Sequence, residues 1–165
     1  MNYAKITTAD IANGIGVRVT LWTQGCGHHC PGCQNPTTWD PASGTPFVEE
    51  TMQELLDLLR PDYIRGLTFS GGDPLFIQNR LIVGYICERV RKEFGDTKDI
   101  WMWTGYTWDD IKNWGHLHYI DVLVDGPYIE AERDVSLPWA GSKNQRVIDV
   151  KKSLANNEVV LWKEN

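Results

Sequence analysis

Within EETMQELLDLLR, residues 49 to 60, the apolar positions Met52, Leu55, Leu56 and Leu59 recur at i, i+3, i+4 and i+7. That spacing lines one face of a helix, and Pro61 stops it. VRVTLWTQG, residues 17 to 25, follows a different rule: it is rich in Val, Thr and aromatic side chains and reads as a strand. PTTWDPASGTP, residues 36 to 46, is turn-rich and reads as an ordered loop, and NGIG, residues 13 to 16, reads as a turn. GLTFSGGDP, residues 66 to 74, is a short strand ending in paired glycines, and a second helix from Asn79 to Phe94 carries Ile82, Ile86 and Val90 on one stripe. DIWMWTGY (99 to 106) is a third strand, and TWDDIKNW (107 to 114) is a short helix started by Thr107 and Asp110. IDVLVDGP (120 to 127) is a fourth strand, and QRVIDV (145 to 150) and EVVLW (158 to 162) read as the last two.

Strands alternating with helices predict an α/β fold with a mostly parallel sheet. A βαβ unit takes roughly 30 residues, so about five or six strands fit. A complete eight-fold barrel needs about 200 residues or more. The expected architecture is therefore a partial, open βα barrel, a single domain over residues 1 to 165. In such sheets the site lies at the carboxyl ends of the strands. Three unusual segments fall there: the loop after residue 25, SGGDP, and TGY.

Composition narrows the function classes. The chain is 42% hydrophobic and 23% charged, with a net charge of −6. No basic run stands out, which argues against a broad nucleic-acid surface. No apolar run reaches the roughly 18 residues of a membrane span, and MNYAKITTAD lacks the pattern of a secretory signal. A cytoplasmic location is the expectation. Eight tryptophans are the unusual count, read as a Trp-rich core or as an aromatic surface facing a partner.

The chemistry concentrates in GCGHHCPGCQN, residues 25 to 35, which holds three of the four cysteines. Closely spaced cysteines serve disulfides, zinc or iron–sulfur clusters. A reducing compartment favours metal over disulfide. Structural zinc usually takes four protein ligands in two pairs, and here there is one C-x2-C with an extra cysteine; His28 or His29 would have to complete the set. Both histidines otherwise read as loop surface. Three thiolates on a compact loop suit a cubane [4Fe–4S] cluster, whose irons normally take four cysteines. Three leave one iron open to a substrate. Cys87, in an apolar helix, reads as a buried thiol.

C-x3-C-x2-C after a first strand, with a Gly-Gly-acid-Pro element after the next, resembles the signature of the radical S-adenosylmethionine enzymes. The resemblance implies that Cys26, Cys30 and Cys33 hold a [4Fe–4S] cluster and that S-adenosyl-L-methionine chelates the fourth iron. Reductive cleavage then yields methionine and a 5′-deoxyadenosyl radical. It further implies cofactor contacts at Gly32, Cys33, Gln34, Gly71, Gly72, Asp73, Pro74, Thr104 and Gly105. Asp73 takes the place of the family's Glu as a charged acceptor for an ammonium group, while the glycines let backbone carbonyls approach. NGIG, RVTLWTQGCGHHCPGCQNPTTWD, LTFSGGDPL, DIWMWTGY, VLVDG and GSKNQR together are similar to the activating proteins of anaerobic (class III) ribonucleoside-triphosphate reductases. That branch implies a protein substrate, a glycine of the reductase large subunit, and a one-electron donor such as a flavodoxin.

The chain departs from the family pattern at four places. Gly32 stands where many radical S-adenosylmethionine enzymes carry an aromatic, which favours the activase branch. Gln34, Pro127 and Ala140 replace residues more frequent in relatives (Tyr, Lys and Arg). Two alternatives stay inside the superfamily: an activase of another glycyl-radical enzyme, or a small radical enzyme with a small-molecule substrate. A third is a non-catalytic zinc module.

Overall fold

The computed structural model describes residues 1–164. Its centre is one seven-stranded sheet: β1 (Asn2–Asp10), β2 (Val17–Thr23), β3 (Thr45–Pro46), β4 (Ile64–Gly71), β5 (Asp99–Trp103), β6 (Val122–Asp125) and β7 (Arg146–Asp149). The helices are α1 (Glu49–Leu59), α2 (Arg80–Phe94), α3 (Trp108–Ile111) and α4 (Val150–Asn156). The spatial order is β3-β1-β2-β4-β5-β6-β7.

Parallel pairing is confined to the centre, β2 to β4, β4 to β5 and β5 to β6. The pairings at the two edges are antiparallel: β1 to β2, β1 to β3, and β6 to β7. The sheet is therefore mixed and open, not mostly parallel. The expectation went astray at the edges. β1 carries no clean alternation to betray it, because two register shifts against β2 break its period. β3 is only two residues long and lies inside the segment read as loop. The tail also differs. A helix, α4, follows β7, and residues 158 to 162 contribute only a bridge between Leu161 and Ile148.

Side chains alternate across each strand, and the two faces of this sheet have different jobs. Val19 and Leu21 of β2, Leu67 and Phe69 of β4, and Ile100 and Met102 of β5 are fully buried on the helix side. They join one apolar cluster with Met52, Leu55, Leu56 and Leu59 of α1. The buried stripe of α2 is Val83, Ile86, Cys87 and Val90, rotated from the expected one so that Ile82 sits only at its margin. At α3 the expected start holds, with Asp110 accepting from the Thr107 backbone N–H at 2.8 Å.

The opposite face carries Arg18, Thr20 and Trp22 of β2, Thr68 and Ser70 of β4, and Trp101 and Trp103 of β5. Here the cover is irregular chain. The 13 to 16 turn lies across the lower half, where Asn13 accepts from Thr68 Oγ1 at 2.7 Å and Ile15 from the Arg18 guanidinium at 3.0 Å. Arg18 is fully buried and pairs with Asp99 at 2.6 Å. It also donates to Thr68 Oγ1 (2.7 Å) and to the Leu67 carbonyl (2.9 Å).

A buried cation stripped of its counter-ion is costly. Asp99→Asn should therefore lower stability by about 3 kcal/mol, read as a shift of the urea unfolding midpoint with unchanged slope. A shift no larger than that of an exposed Asp57→Asn control would show that the pair is dispensable.

Candidate functional site

β2, β4, β5 and β6 all end at the same edge of the sheet, and the segments that follow them enclose a cavity of about 420 Å³. Small-molecule sites commonly span about 300–1,000 Å³. Of the sequence-derived site residues, Cys26, Cys30, Cys33, Gln34, Gly71, Gly72, Asp73, Thr104 and Gly105 line it. Gly32 and Pro74 do not. Pro74 is buried behind the lining. Gly32 is exposed, with φ of +72°, and its open side faces the Glu130 carboxylate, which a Cβ would meet at about 2.6 Å. An aromatic residue would not fit there unless Glu130 moved.

The glycine pair explains why the cysteine loop sits where it does. Thr23 is in register with Gly71. The Gly72 and Asp73 N–H groups donate to the Thr23 and Gly25 carbonyls, each at 2.8 Å. A Cβ on Gly72 would lie 2.6 Å from the Gly25 carbonyl oxygen and 2.7 Å from that of Thr38. At Gly71, φ is +100° and a Cβ would meet the Thr23 backbone at 2.8 Å. The glycines thus admit the backbone of the cysteine loop itself. Gly25 and Cys26 in turn donate to the Thr38 and Trp39 carbonyls at 2.8 and 3.1 Å.

Asp73 is almost completely buried, 1% exposed. Its Oδ1 accepts from the Leu75 N–H at 2.8 Å and from Thr104 Oγ1 at 2.9 Å, and its Oδ2 accepts from the Gly105 N–H at 2.9 Å. His28 Nε2 also lies 2.9 Å from Oδ2, too bent for a hydrogen bond but well placed for an ion pair. This carboxylate pushes the His28 imidazole above its ordinary pKa. His28 is therefore not loop surface. Its ring packs edge-on to Tyr106 at 4.6 Å and lies against Gly105, where a Cβ would collide with it. His29 is the exposed one, stacked on Trp39 at 4.8 Å.

The three cysteines are half-buried free thiols that line the cavity. Burial pushes the Cys26 thiol above its ordinary value. Cys33 Sγ accepts from the Asn35 N–H at 3.4 Å. Among the described residues no three His, Cys, Asp or Glu side chains converge on one ion. A cubane cluster asks for something else: three thiolates spread around a larger body, each on its own iron. The donor set and the adjoining cavity fit such a group. Cys87 is fully buried in the apolar core on the helix side, its thiol held well above the ordinary range by desolvation.

Beyond those positions, the cavity is lined by residues that the sequence did not single out as ligands. Ser70, Trp103, Tyr128 and Trp139 line it. So does Gln145 of GSKNQR, which accepts from the Gly141 N–H and donates to the Gly126 carbonyl, both at 2.9 Å. Gln145 therefore fixes the rim formed by the β6–β7 connection. Ala140 also faces the cavity, whereas Pro127 does not line it. The motif was a usable signal for this brace; the aromatic wall had none, because it is assembled from separate segments.

Comparison with known families agrees with the cysteine chemistry. Residues 12–148 match the family described as a 4Fe-4S single cluster domain, which sets the class. More specifically, the chain is 45% identical over 147 residues to the anaerobic ribonucleoside-triphosphate reductase-activating protein of Enterobacteria phage T4, covering 89% of this chain and 93% of that protein. The protein of the same name from Vibrio cholerae is 43% identical (88% and 96% covered), and that of Escherichia coli K12 is 42% identical (89% and 97%). The chain belongs to this family of activating proteins.

Two outcomes test the site. Gly72→Ala should cut iron and sulfide incorporation on anaerobic reconstitution to a small fraction of wild type and cost about 1–3 kcal/mol through overpacking, since the clash is with backbone. Cys87→Ala should retain a full iron and sulfide complement, while Cys26→Ala, Cys30→Ala and Cys33→Ala each lose it. Normal iron content in the three loop variants would remove the cluster assignment.

Proposed function

We infer that this chain is a glycyl-radical-activating enzyme of an anaerobic ribonucleoside-triphosphate reductase. It would work through one [4Fe–4S] cluster on Cys26, Cys30 and Cys33 and through S-adenosyl-L-methionine in the adjoining cavity. One observation carries this reading. In a chain related over nearly nine-tenths of its length to such activating proteins, the three thiols border the same cavity as the Gly71–Gly72 turn. When bound, the cluster and S-adenosyl-L-methionine supply a 5′-deoxyadenosyl radical able to take a hydrogen atom from a glycine of the reductase large subunit.

The chain's own residues bind, orient and exclude water. The cysteine loop offers three ligands and no fourth, which reserves a coordination position for the cofactor. Backbone carbonyls of the glycine turn would accept from the cofactor's ammonium, and Gln34, Thr104 and Gly105 line the same cavity. The indoles of Trp103 and Trp139 and the ring of Tyr128 add apolar surface to the lining, which would help to keep a reactive radical from bulk solvent. We read the parallel centre of the sheet as a partial βα barrel and residues 1 to 165 as one radical S-adenosylmethionine domain. A flavodoxin-type donor and a cytoplasmic setting complete the proposal. Among the described residues no helix is long and apolar enough to cross a membrane.

The reconstituted, reduced protein should cleave S-adenosyl-L-methionine to 5′-deoxyadenosine. Mixed anaerobically with a cognate class III reductase, it should raise a glycyl-radical signal in electron paramagnetic resonance. Each loop cysteine variant should abolish both. Cofactor cleavage without a glycyl radical would redirect the function to another glycyl-radical enzyme or to a small-molecule substrate.

A further inference from the structure

Asp73 occupies the position at which the sequence resemblance puts a ligand for the cofactor's ammonium group. Its surroundings point elsewhere. An ionised carboxylate has about four lone-pair sites. Here Oδ1 takes the Leu75 N–H and Thr104 Oγ1, and Oδ2 takes the Gly105 N–H and faces His28 Nε2. Thr104 Oγ1 is also 3.1 Å from Oδ2, so its hydroxyl spans both oxygens. Oδ1 is fully taken, Oδ2 is covered by the His28 ring, and the side chain is 1% exposed, so a further donor would have to displace a backbone N–H, the Thr104 hydroxyl or the imidazole. Asp is one methylene shorter than Glu, and the Leu75 contact folds the side chain back over its own turn. The four partners lie on three segments: the turn after β4, the end of β5, and the cysteine loop.

We propose that Asp73 is a positioning residue. Its carboxylate fastens the cysteine loop and the end of β5 to the turn after β4, and it is not itself an acceptor for the cofactor's ammonium. The part concerning the cofactor rests on the function proposed above; the fastening does not.

The test uses Asp73→Asn, Thr104→Val and the double variant, first as metal-free protein. Asp73→Asn should lower the melting temperature by roughly 5 °C, Thr104→Val by less, and the pair by less than the sum because they share one interaction. The reconstituted proteins are then titrated with S-adenosyl-L-methionine and with its analogue lacking the α-amino group. A displaced loop weakens both ligands by the same several-fold factor and keeps the wild-type preference between them.

A wild-type melting temperature for metal-free Asp73→Asn overturns the proposal. So does unchanged affinity for both ligands, and so does a tenfold selective loss for the amino-bearing one. If Asp73→Asn does not fold, Thr104→Val decides: a lowered melting temperature with preserved preference supports the fastening, and an unchanged melting temperature overturns it. Failure of the wild-type protein to bind S-adenosyl-L-methionine would instead overturn the proposed function, with the metal-free melts still deciding the fastening.

Discussion

Where β2 and β4 end, two stretches of backbone lie closer than a Cβ permits, and the site is organised around that contact. Gly72 rests on the carbonyls of Gly25 and Thr38, and Gly71 on the backbone of Thr23. Backbone hydrogen bonds then tie the glycine turn to the first residues of the cysteine loop, and that loop to the turn at residues 36 to 38. Rigid backbone is a good carrier for a metal group. It holds its position with no rotamer freedom to lose, and loops set on strand ends inherit the order of the sheet. The thiols extend from a frame already fixed by main-chain groups.

The division of labour between the sheet's two faces follows from what covers them. The helix side is dry, aliphatic and closed, and it supplies the burial that drives folding. The other side has no α-helix over it among the described residues, and it is where buried polar groups gather. Each of those groups needs a partner. Arg18 finds four, counting Asp99. Burial works to raise the Asp10 carboxyl, but hydrogen bonds from the Ala12 N–H (2.8 Å), Thr20 Oγ1 (2.8 Å) and the Asn13 amide (2.7 Å) draw it below the ordinary range. Most polar groups of the lower half are thus tied down, and the upper half borders the cavity. A sheet packed by helices on both faces would have had no room for it.

Much of this was legible in the sequence for identifiable reasons. β2, α1 and the cysteine loop carry strong local signals: β-branched runs, a clean helical period, and a spacing with a definite chemical meaning. The placement of SGGDP and TGY at strand ends followed from topology alone. The rest depends on contacts between distant segments. β1 is an edge strand with register breaks, so its polarity pattern carries little. His28 looks like a surface histidine in any window, because the space for its ring is made by the missing side chain of Gly105, some 77 positions away. Glu130 against Gly32 is the same kind of fact. Asp73 was found by motif, but a motif gives the residue and not the direction of its carboxylate.

The tryptophans show how a composition becomes a site. None of the eight is exposed: Trp101 and Trp108 are buried and the other six half-buried. Trp101 stacks on Trp103 at 5.8 Å and meets Trp139 and Trp162 edge-on at 5.6 and 5.1 Å. Trp139 comes from the β6–β7 connection and Trp162 from the tail. Large rings from irregular segments therefore close a sheet face that has no helix to close it. Trp103 Nε1 donates to the Trp139 carbonyl at 2.8 Å, so the wall is pinned as well as packed. The indoles are packing residues along most of this wall. At Trp22, Trp103 and Trp139 they also line the cavity, so packing and site share the same side chains there.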